Sequence, residues 1–487
     1  MKTAKIKIDK DFKIGAVDNR IYGSFVEHLG RCVYNGIYQP GHESADEEGF
    51  RGDVLELVKE LNVPVVRYPG GNFVSGYNWE DGVGPPAERP KKRDLAWHVT
   101  ESNAFGTNEF MSWAKKAGTE VMMAVNLGTR GADEARNFVE YCNHQAGTYY
   151  SDLRVRHGVK EPHNIKLWCL GNEMDGPWQI GHKTAYEYGR LACETARLMK
   201  WTDPSIELVA CGSSGYGMPT FAAWEAEVLE QAYDLVDYIA LHQYYGKLDA
   251  SDTKTFMART VELDDYINKT IAVCDYTAAK KKSKKKINIS FDEWNVWWQK
   301  GDHEEKAAKN HYSVEEAVVS GGMLLSLLRR ADRVKIGCQA QLVNVIAPIY
   351  TRNEGAAWRQ TMFYPYMHAS KYGRGTALIT IAECDKYDCE WYSDVPVIDS
   401  IAVETENGVT IFVINRSEEE IILNCQLGGY SVNNPPEHIS LWDKDKFAVN
   451  TFENPNRVVP EFQTDITGEN NTITAKLNPL SWNVIKV

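Results

Sequence analysis

The sequence predicts an α/β fold: a (β/α)8 TIM barrel carrying an all-β, jelly-roll-like sandwich as a second domain. Three observations predict it. Eight short apolar runs recur along the first three quarters of the chain, amphipathic stretches of helical period separate them, and beyond about residue 376 the pattern changes to strict alternation. The expected division is residues 16–375 for the barrel and residues 1–15 plus 376–487 for the sandwich.

The apolar runs occupy residues 21–25, 63–68, 121–125, 165–170, 206–210, 236–241, 287–291 and 334–338. Most are too short for helices and do not alternate, as expected of parallel strands buried on both faces. The helical stretches are 53–61, 108–117, 133–142, 184–199, 221–233, 264–279 and 313–328. Strand then helix, repeated, is the grammar of a barrel or of a doubly wound sheet. A count of eight, with polar residues after most strands, favours the barrel. Thr107 and Asn108 are expected just before the second helix, and Ser313-Val-Glu-Glu316 reads as a capping box in which hydroxyl and carboxylate each satisfy an orphan amide. The lysine run at 280–286, interrupted only by Ser283, is expected to be a solvated connection rather than a polyanion patch.

Residues 400–415 read as two alternating strands around an Asn-Gly turn. Residues 421–427 and 472–477 continue the period of two, and the chain ends in Trp482-Asn-Val-Ile-Lys-Val487. The alternating stretch Lys5-Ile-Lys-Ile8 precedes the barrel and is expected to join the sandwich.

Bulk properties exclude some classes. The 487 residues are 43% hydrophobic and 25% charged, with a net charge of -13, the wrong sign for a general nucleic-acid binder that must neutralise phosphates. No window nears the ~18 apolar residues of a membrane span, and no signal-like stretch opens the chain. The ten cysteines are scattered, several within predicted strands, so they read as reduced core thiols of a cytoplasmic protein. No CxxC or His spacing makes a zinc site. A phosphate-binding loop, a GxSxG elbow and a GxGxxG turn are likewise missing from the sequence.

Two strand ends carry the chemistry. Glu173 follows the fourth run and Glu293 the seventh, both where a barrel gathers its active site. Retaining glycoside hydrolysis needs a carboxylate to attack the anomeric carbon and a carboxylic acid to protonate the leaving oxygen, ~5 Å apart. Glu293 is expected to attack and so to need hydrogen-bond donors, which Tyr244 and His242 on the preceding strand supply. Glu173 is expected to serve as acid and then base. Glu27, Asn72, Asn126, Gln341 and Asn344 follow other runs and together offer the donors and acceptors that hydroxyls need, and Arg67, within the second run, and Asn172, just before Glu173, are further candidate sugar contacts. Trp97, Trp178 and Trp297 are the candidate stacking surfaces. Gly70 and Gly71 let backbone approach a ligand.

At these blocks the sequence resembles the intracellular α-L-arabinofuranosidases of glycoside hydrolase family 51. The matching segments are Tyr22-Gly-Ser-Phe-Val-Glu-His-Leu-Gly30, Arg67-Tyr-Pro-Gly-Gly-Asn-Phe73, Asn126-Leu-Gly-Thr-Arg130, Trp168-Cys-Leu-Gly-Asn-Glu-Met-Asp-Gly-Pro-Trp178, Leu241-His-Gln-Tyr-Tyr245, Asp292-Glu-Trp-Asn-Val-Trp297 and Ala340-Gln-Leu-Val-Asn-Val-Ile-Ala-Pro348. They span the barrel, and the sandwich matches more loosely. The resemblance implies Glu173 as acid/base, Glu293 as nucleophile, and Glu27, Asn72, Asn172, Tyr244 and Gln341 as arabinose-binding residues. It implies release of terminal non-reducing α-L-arabinofuranosyl units from arabino- or arabinoxylan-derived oligosaccharides with retention, no cofactor, and a homo-oligomer, often a hexamer. One departure is the segment 299–312, short and highly charged where similar proteins carry a longer insertion at the rim. The runner-up is an endo-β-glucanase or β-xylosidase on the same scaffold, since fold does not set substrate. A non-catalytic carbohydrate-binding protein would not need the carboxylate pair.

Overall fold

A computed structural model describes residues 2–247, 252–297, 311–432 and 434–487. Most of the charged segment 299–312 therefore lies outside the described residues.

Eight parallel strands close into a barrel in chain order: Gly23–Phe25, Val65–Tyr68, Glu120–Val125, Leu167–Leu170, Glu207–Ala210, Tyr238–Tyr245, Asn288–Val296 and Val334–Ala340. Each coincides with one apolar run. Their inward side chains, among them Phe25, Val65, Met122, Leu167, Val209, Ile336 and Cys338, fill the barrel as a separate buried cluster. The larger core lies between the strands and the surrounding helices, where Trp113, Trp168 and Trp224 are fully covered.

Strands six and seven run past their apolar cores, and this corrects one expectation. Glu293 does not follow its strand but lies within it, as do His242 and Tyr244 in strand six. The seventh strand loses simple register there: Ser290 faces Ala240 and Glu293 faces His242, with the irregularity between them. A second register shift against strand eight falls between Phe291 and Trp294. An extra residue of this kind re-aims side chains that simple alternation would send to opposite faces.

The predicted helices are present at Gly52–Leu61, Thr107–Ala117, Ala132–Asn143, Ala185–Thr202, Ala223–Ala232, Arg259–Lys281 and Val314–Arg329. Thr107 and Asn108 are inside the second of these; Gly106 is the cap, and its amide donates to Glu109 Oε2 at 2.9 Å. The Ser313 box forms as expected, with the Ser313 amide donating to Glu316 Oε2 at 2.7 Å. The lysine run ends the sixth helix at a left-handed Lys282, and Lys280 pairs with Glu230 at 3.0 Å.

Beyond the barrel, ten strands form one continuous hydrogen-bonded sheet. At its middle lies Lys2–Ala16, antiparallel to Thr376–Glu383 and parallel to Ile421–Gly428. The sheet encloses its own core of Ile6, Ile8, Leu378, Ile411, Leu423 and Ile473. The hairpin pairs Thr405 with Gly408, so Glu406 and Asn407 form its two-residue turn. Trp482 fastens this sheet to the barrel: it is fully buried, and a Cβ on Gly321 of the helix Val314–Arg329 would lie 2.5 Å from its ring. All ten cysteines are free, eight of them buried. Among the described residues no helix is long and apolar enough to cross a membrane.

Candidate active site

The C-terminal ends of strands two, four, six and seven converge on two carboxylates. Glu173 sits in the turn after strand four, where Gly171 has φ 87° and Glu173 itself φ 43°. A non-glycine residue in left-handed backbone is uncommon and clusters at functional sites. The turn brings Glu173 Oε1 to 3.0 Å from His242 Nδ1, while Trp178 Nε1 donates to its Oε2 at 2.7 Å. Glu293 accepts from Tyr244 Oη at 2.6 Å and from Arg67 Nη1 at 2.8 Å, one bond on each oxygen. One oxygen of each glutamate and one nitrogen of His242 all lie within 4.8 Å of one another. That separation suits attack on, and protonation at, a single glycosidic bond.

The electrostatics separate the two groups. Burial raises the pKa of Glu173, and the negative charge on Glu293 raises it further, while the His242 hydrogen bond opposes both. His242 is itself pressed between carboxylates: burial works against its charge, but Glu293, Asp292 and Glu173 prevail and push its pKa up to about 10. The ring is therefore an imidazolium at neutral pH, its Nδ1 toward Glu173 and its Nε2 3.3 Å from Asp292 Oδ1. The same three groups have the proximity of a metal-ligand set.

The remaining predicted residues are mostly gathered around this pair. Glu27 Oε1 accepts the backbone amides of Gly71 and Phe73, each at 3.0 Å, and Trp97 Nε1 at 3.3 Å; Gln341 Nε2 donates to its other oxygen at 3.2 Å. Burial, and then Glu293, push the Glu27 pKa up to about 8. Asn172 accepts from Arg67 Nη2 at 2.6 Å and donates to Asn72 Oδ1 at 3.4 Å. Gly71 closes the floor: a Cβ there would come within 3.3 Å of Asn172 and of Glu293 Oε2. Trp297 meets Tyr244 edge-on at 5.2 Å between ring centres. Trp178 stays half exposed beside Glu173.

Asn126 and Asn344 do different work. Asn126 spends its groups on Tyr77 O, Thr129 Oγ1 and the amides of Gly128 and Thr129. Asn344 is bonded to Arg31 O, Thr351 Oγ1 and the Thr351 amide. Each ties its own loop to another, Asn126 to that of Tyr77 and Asn344 to that of Arg31.

Asp292, next to Glu293 in the strand, carries no sequence signal of its own. It is 1% exposed, 3.6 Å from Arg67 Nε and 3.3 Å from His242 Nε2. Burial opposes its charge, yet Arg67 and His242 hold it below the usual carboxylate range. Arg67 thus neutralises two buried carboxylates and lies 4.6 Å above the Phe25 ring. Replacing it by methionine leaves both without their partner, and a loss of about 3–5 kcal/mol in urea unfolding is expected; a loss below 1 kcal/mol would mean that Arg67 does not hold the pair.

Comparison with known proteins agrees with this geometry. A sequence-family model described as "Alpha-L-arabinofuranosidase 1 domain" matches residues 57–276, and one described as "Alpha-L-arabinofuranosidase C-terminal domain" matches residues 292–481. The chain is 56% identical to an intracellular exo-α-(1→5)-L-arabinofuranosidase 1 of Bacillus subtilis (strain 168), covering 100% of this chain and 99% of that one. The chain belongs to glycoside hydrolase family 51, the α-L-arabinofuranosidases. An exo-α-(1→6)-L-arabinofuranosidase of Bifidobacterium longum is 46% identical over 100% of this chain and 98% of its own. Among solved structures, a family 51 α-L-arabinofuranosidase from Bifidobacterium longum superposes with a TM-score of 0.95 at 42% identity, covering 100% and 99% of the two chains. A bifunctional glucanase-xylanase from a metagenome library, 13% identical with a TM-score of 0.59, shares the fold alone. Both match boundaries fall inside the barrel, residue 276 in the helix Arg259–Lys281 and residue 292 in strand seven.

Proposed function

We propose that this arabinofuranosidase acts from the non-reducing end and releases terminal α-L-arabinofuranosyl residues from arabino-oligosaccharides by double displacement with retention. The observation that carries the mechanism is the approach of the Glu173 and Glu293 carboxylates to within 4.8 Å across one barrel mouth. Glu293, held and aimed by Tyr244 and Arg67, attacks the anomeric carbon while Glu173 protonates the departing glycosidic oxygen. Its raised pKa keeps that proton available. Bond formation to the sugar removes the charge on Glu293, and with it one of the causes that raise the pKa of Glu173. The same group then accepts a proton from the water that attacks the glycosyl-enzyme. Glu27, Asn72, Asn172 and Gln341 are assigned to the sugar hydroxyls, with Trp97 and Trp297 as walls. Tyr244 and His242 also face the sugar, and Trp178 lies toward the leaving group.

Relatives bearing the names α-(1→5) and α-(1→6) support an arabinose-decorated or arabinan-derived oligosaccharide as substrate. The names of several relatives support an intracellular setting, and a homo-oligomer is proposed on the family resemblance alone. Residues 16–375 are assigned as the catalytic unit and residues 1–15 with 376–487 as the sandwich. The test is release of 4-nitrophenol from its α-L-arabinofuranoside, with methanol added as acceptor. Methyl α-L-arabinofuranoside, identified by NMR, is expected. No release, or the β product, ends the proposal.

A further inference from the structure

Trp97 is carried at the tip of a small hairpin, Lys92–Arg93 with Thr100–Glu101. The tip reaches the site through the Trp97 Nε1 bond to Glu27. Two strands of two residues have little stability of their own. Asp94 braces the tip by accepting the amides of Ala96 and Trp97 at 3.0 and 2.8 Å, but the flanking Leu95 and Val99 are exposed. What fixes the hairpin is its foot.

There Glu101 is buried and accepts from three donors, His28 and Tyr34 of the segment after the first barrel strand and the nearby Asn103 amide. Tyr34 Oη and the Asn103 amide meet one oxygen, at 2.5 and 2.7 Å, and His28 Nδ1 lies 3.1 Å from the other. The second nitrogen of His28 contacts Tyr68 Oη at 2.9 Å. Its ring stacks on Phe73 with centres 4.7 Å apart and 15° between planes. Burial works against charge on Glu101, yet His28 and Tyr34 hold its carboxyl below the usual range.

The clasp and the pocket wall share their chain segments. His28 directly follows Glu27, and Phe73, whose ring stacks on that of His28, donates its backbone amide to Glu27. A closed circuit results: Glu27, His28, Glu101, the hairpin, Trp97 and back to Glu27. We propose that Glu101 is a positioning residue for the sugar pocket, acting through His28 to hold Trp97 over Glu27 and thereby setting the affinity for the arabinofuranosyl ring. It touches neither the sugar nor the reacting atoms. The inference rests on the assignment of Glu27 and Trp97 to the sugar made above.

The experiment is a double-mutant cycle of Glu101→Ala and Trp97→Ala, read as KM and kcat on 4-nitrophenyl α-L-arabinofuranoside and as the inhibition constant for free arabinose. Loss of hydrogen bonds to a charged group corresponds to about a tenfold effect or more. Glu101→Ala is expected to raise KM and the arabinose constant together by about tenfold, with kcat changed less than about threefold. Glu101→Gln, which keeps bonds to Tyr34 and Asn103, is expected to recover most of the affinity. The double variant is expected to bind no worse than Trp97→Ala alone, because one acts through the other. Additive losses, a fall in kcat with KM unchanged, or a lowered melting temperature with wild-type KM would each overturn the proposal. Should Glu101→Ala fail to fold, His28→Phe, which removes the link to Glu101, paired with Trp97→Ala runs the same cycle. An inactive wild type would instead end the functional assignment on which it rests.

Discussion

Glu293→Ala is expected to lower turnover of 4-nitrophenyl α-L-arabinofuranoside by about 10⁴-fold or more, a loss of about 5.5 kcal/mol in transition-state stabilisation. The variant also leaves Tyr244 and Arg67 without the oxygens they serve, so Glu293→Gln, nearly isosteric, separates lost chemistry from lost structure. Azide supplied to the alanine variant provides the sharper reading. A small anion entering where the carboxylate stood attacks the anomeric carbon from that face and expels the aglycone in one displacement. Partial recovery with an arabinosyl azide of inverted configuration is the expected product. Activity within tenfold of wild type, or a rescued product of retained configuration, would remove Glu293 from the nucleophile's place.

Glu173→Ala is expected to separate substrates by leaving group. A positioned acid contributes about 10²–10⁴-fold, so kcat/KM on an arabino-oligosaccharide, whose alkoxide leaves poorly, is expected to fall within that range. A 4-nitrophenolate leaves unaided, so its glycosylation step survives, while water attack on the glycosyl-enzyme loses its base. A burst of 4-nitrophenol followed by a slow steady state is the expected trace. The pH profile gives an independent sign. Glu173 is raised above the ordinary carboxylate range by burial and by Glu293, and in the proposed mechanism it acts first as an acid. Wild-type kcat/KM on the oligosaccharide is thus full below its pKa and falls as pH rises through it; in Glu173→Ala this alkaline limb disappears. Equal losses on both substrates, or an unchanged limb, would refute the assignment.

The barrel was legible because buried parallel strands leave uninterrupted apolar runs, and every run from 63–68 to 334–338 coincides with a strand. Glu173 was legible for the same reason: a polar residue directly after such a run has few places to be. What stayed hidden depends on register and on contacts distant in sequence. The irregularity beside Glu293 has no compositional mark, so strand seven was expected to stop short of it, and Asp292 was assigned no task. Asn126 and Asn344 looked like sugar ligands because their residue type and position fit, but hydrogen-bond capacity already spent on a loop cannot be read from a letter. Glu101 lies far along the chain from His28, inside a hairpin too short to give any periodic signal.

The middle place of Lys2–Ala16 in the ten-stranded sheet has a consequence for biosynthesis. This strand is translated before the barrel, whereas Thr376–Glu383 and Ile421–Gly428, which flank it on both sides, are translated after it. While the ribosome builds the barrel, the segment has its ladder amides and carbonyls open on two edges, a template for pairing with another nascent chain. Its five lysines outnumber its two aspartates, and Lys7 and Lys13 meet their partners Glu383 and Glu404 only once the later strands are made; until then the net positive charge opposes the pairing of like segments.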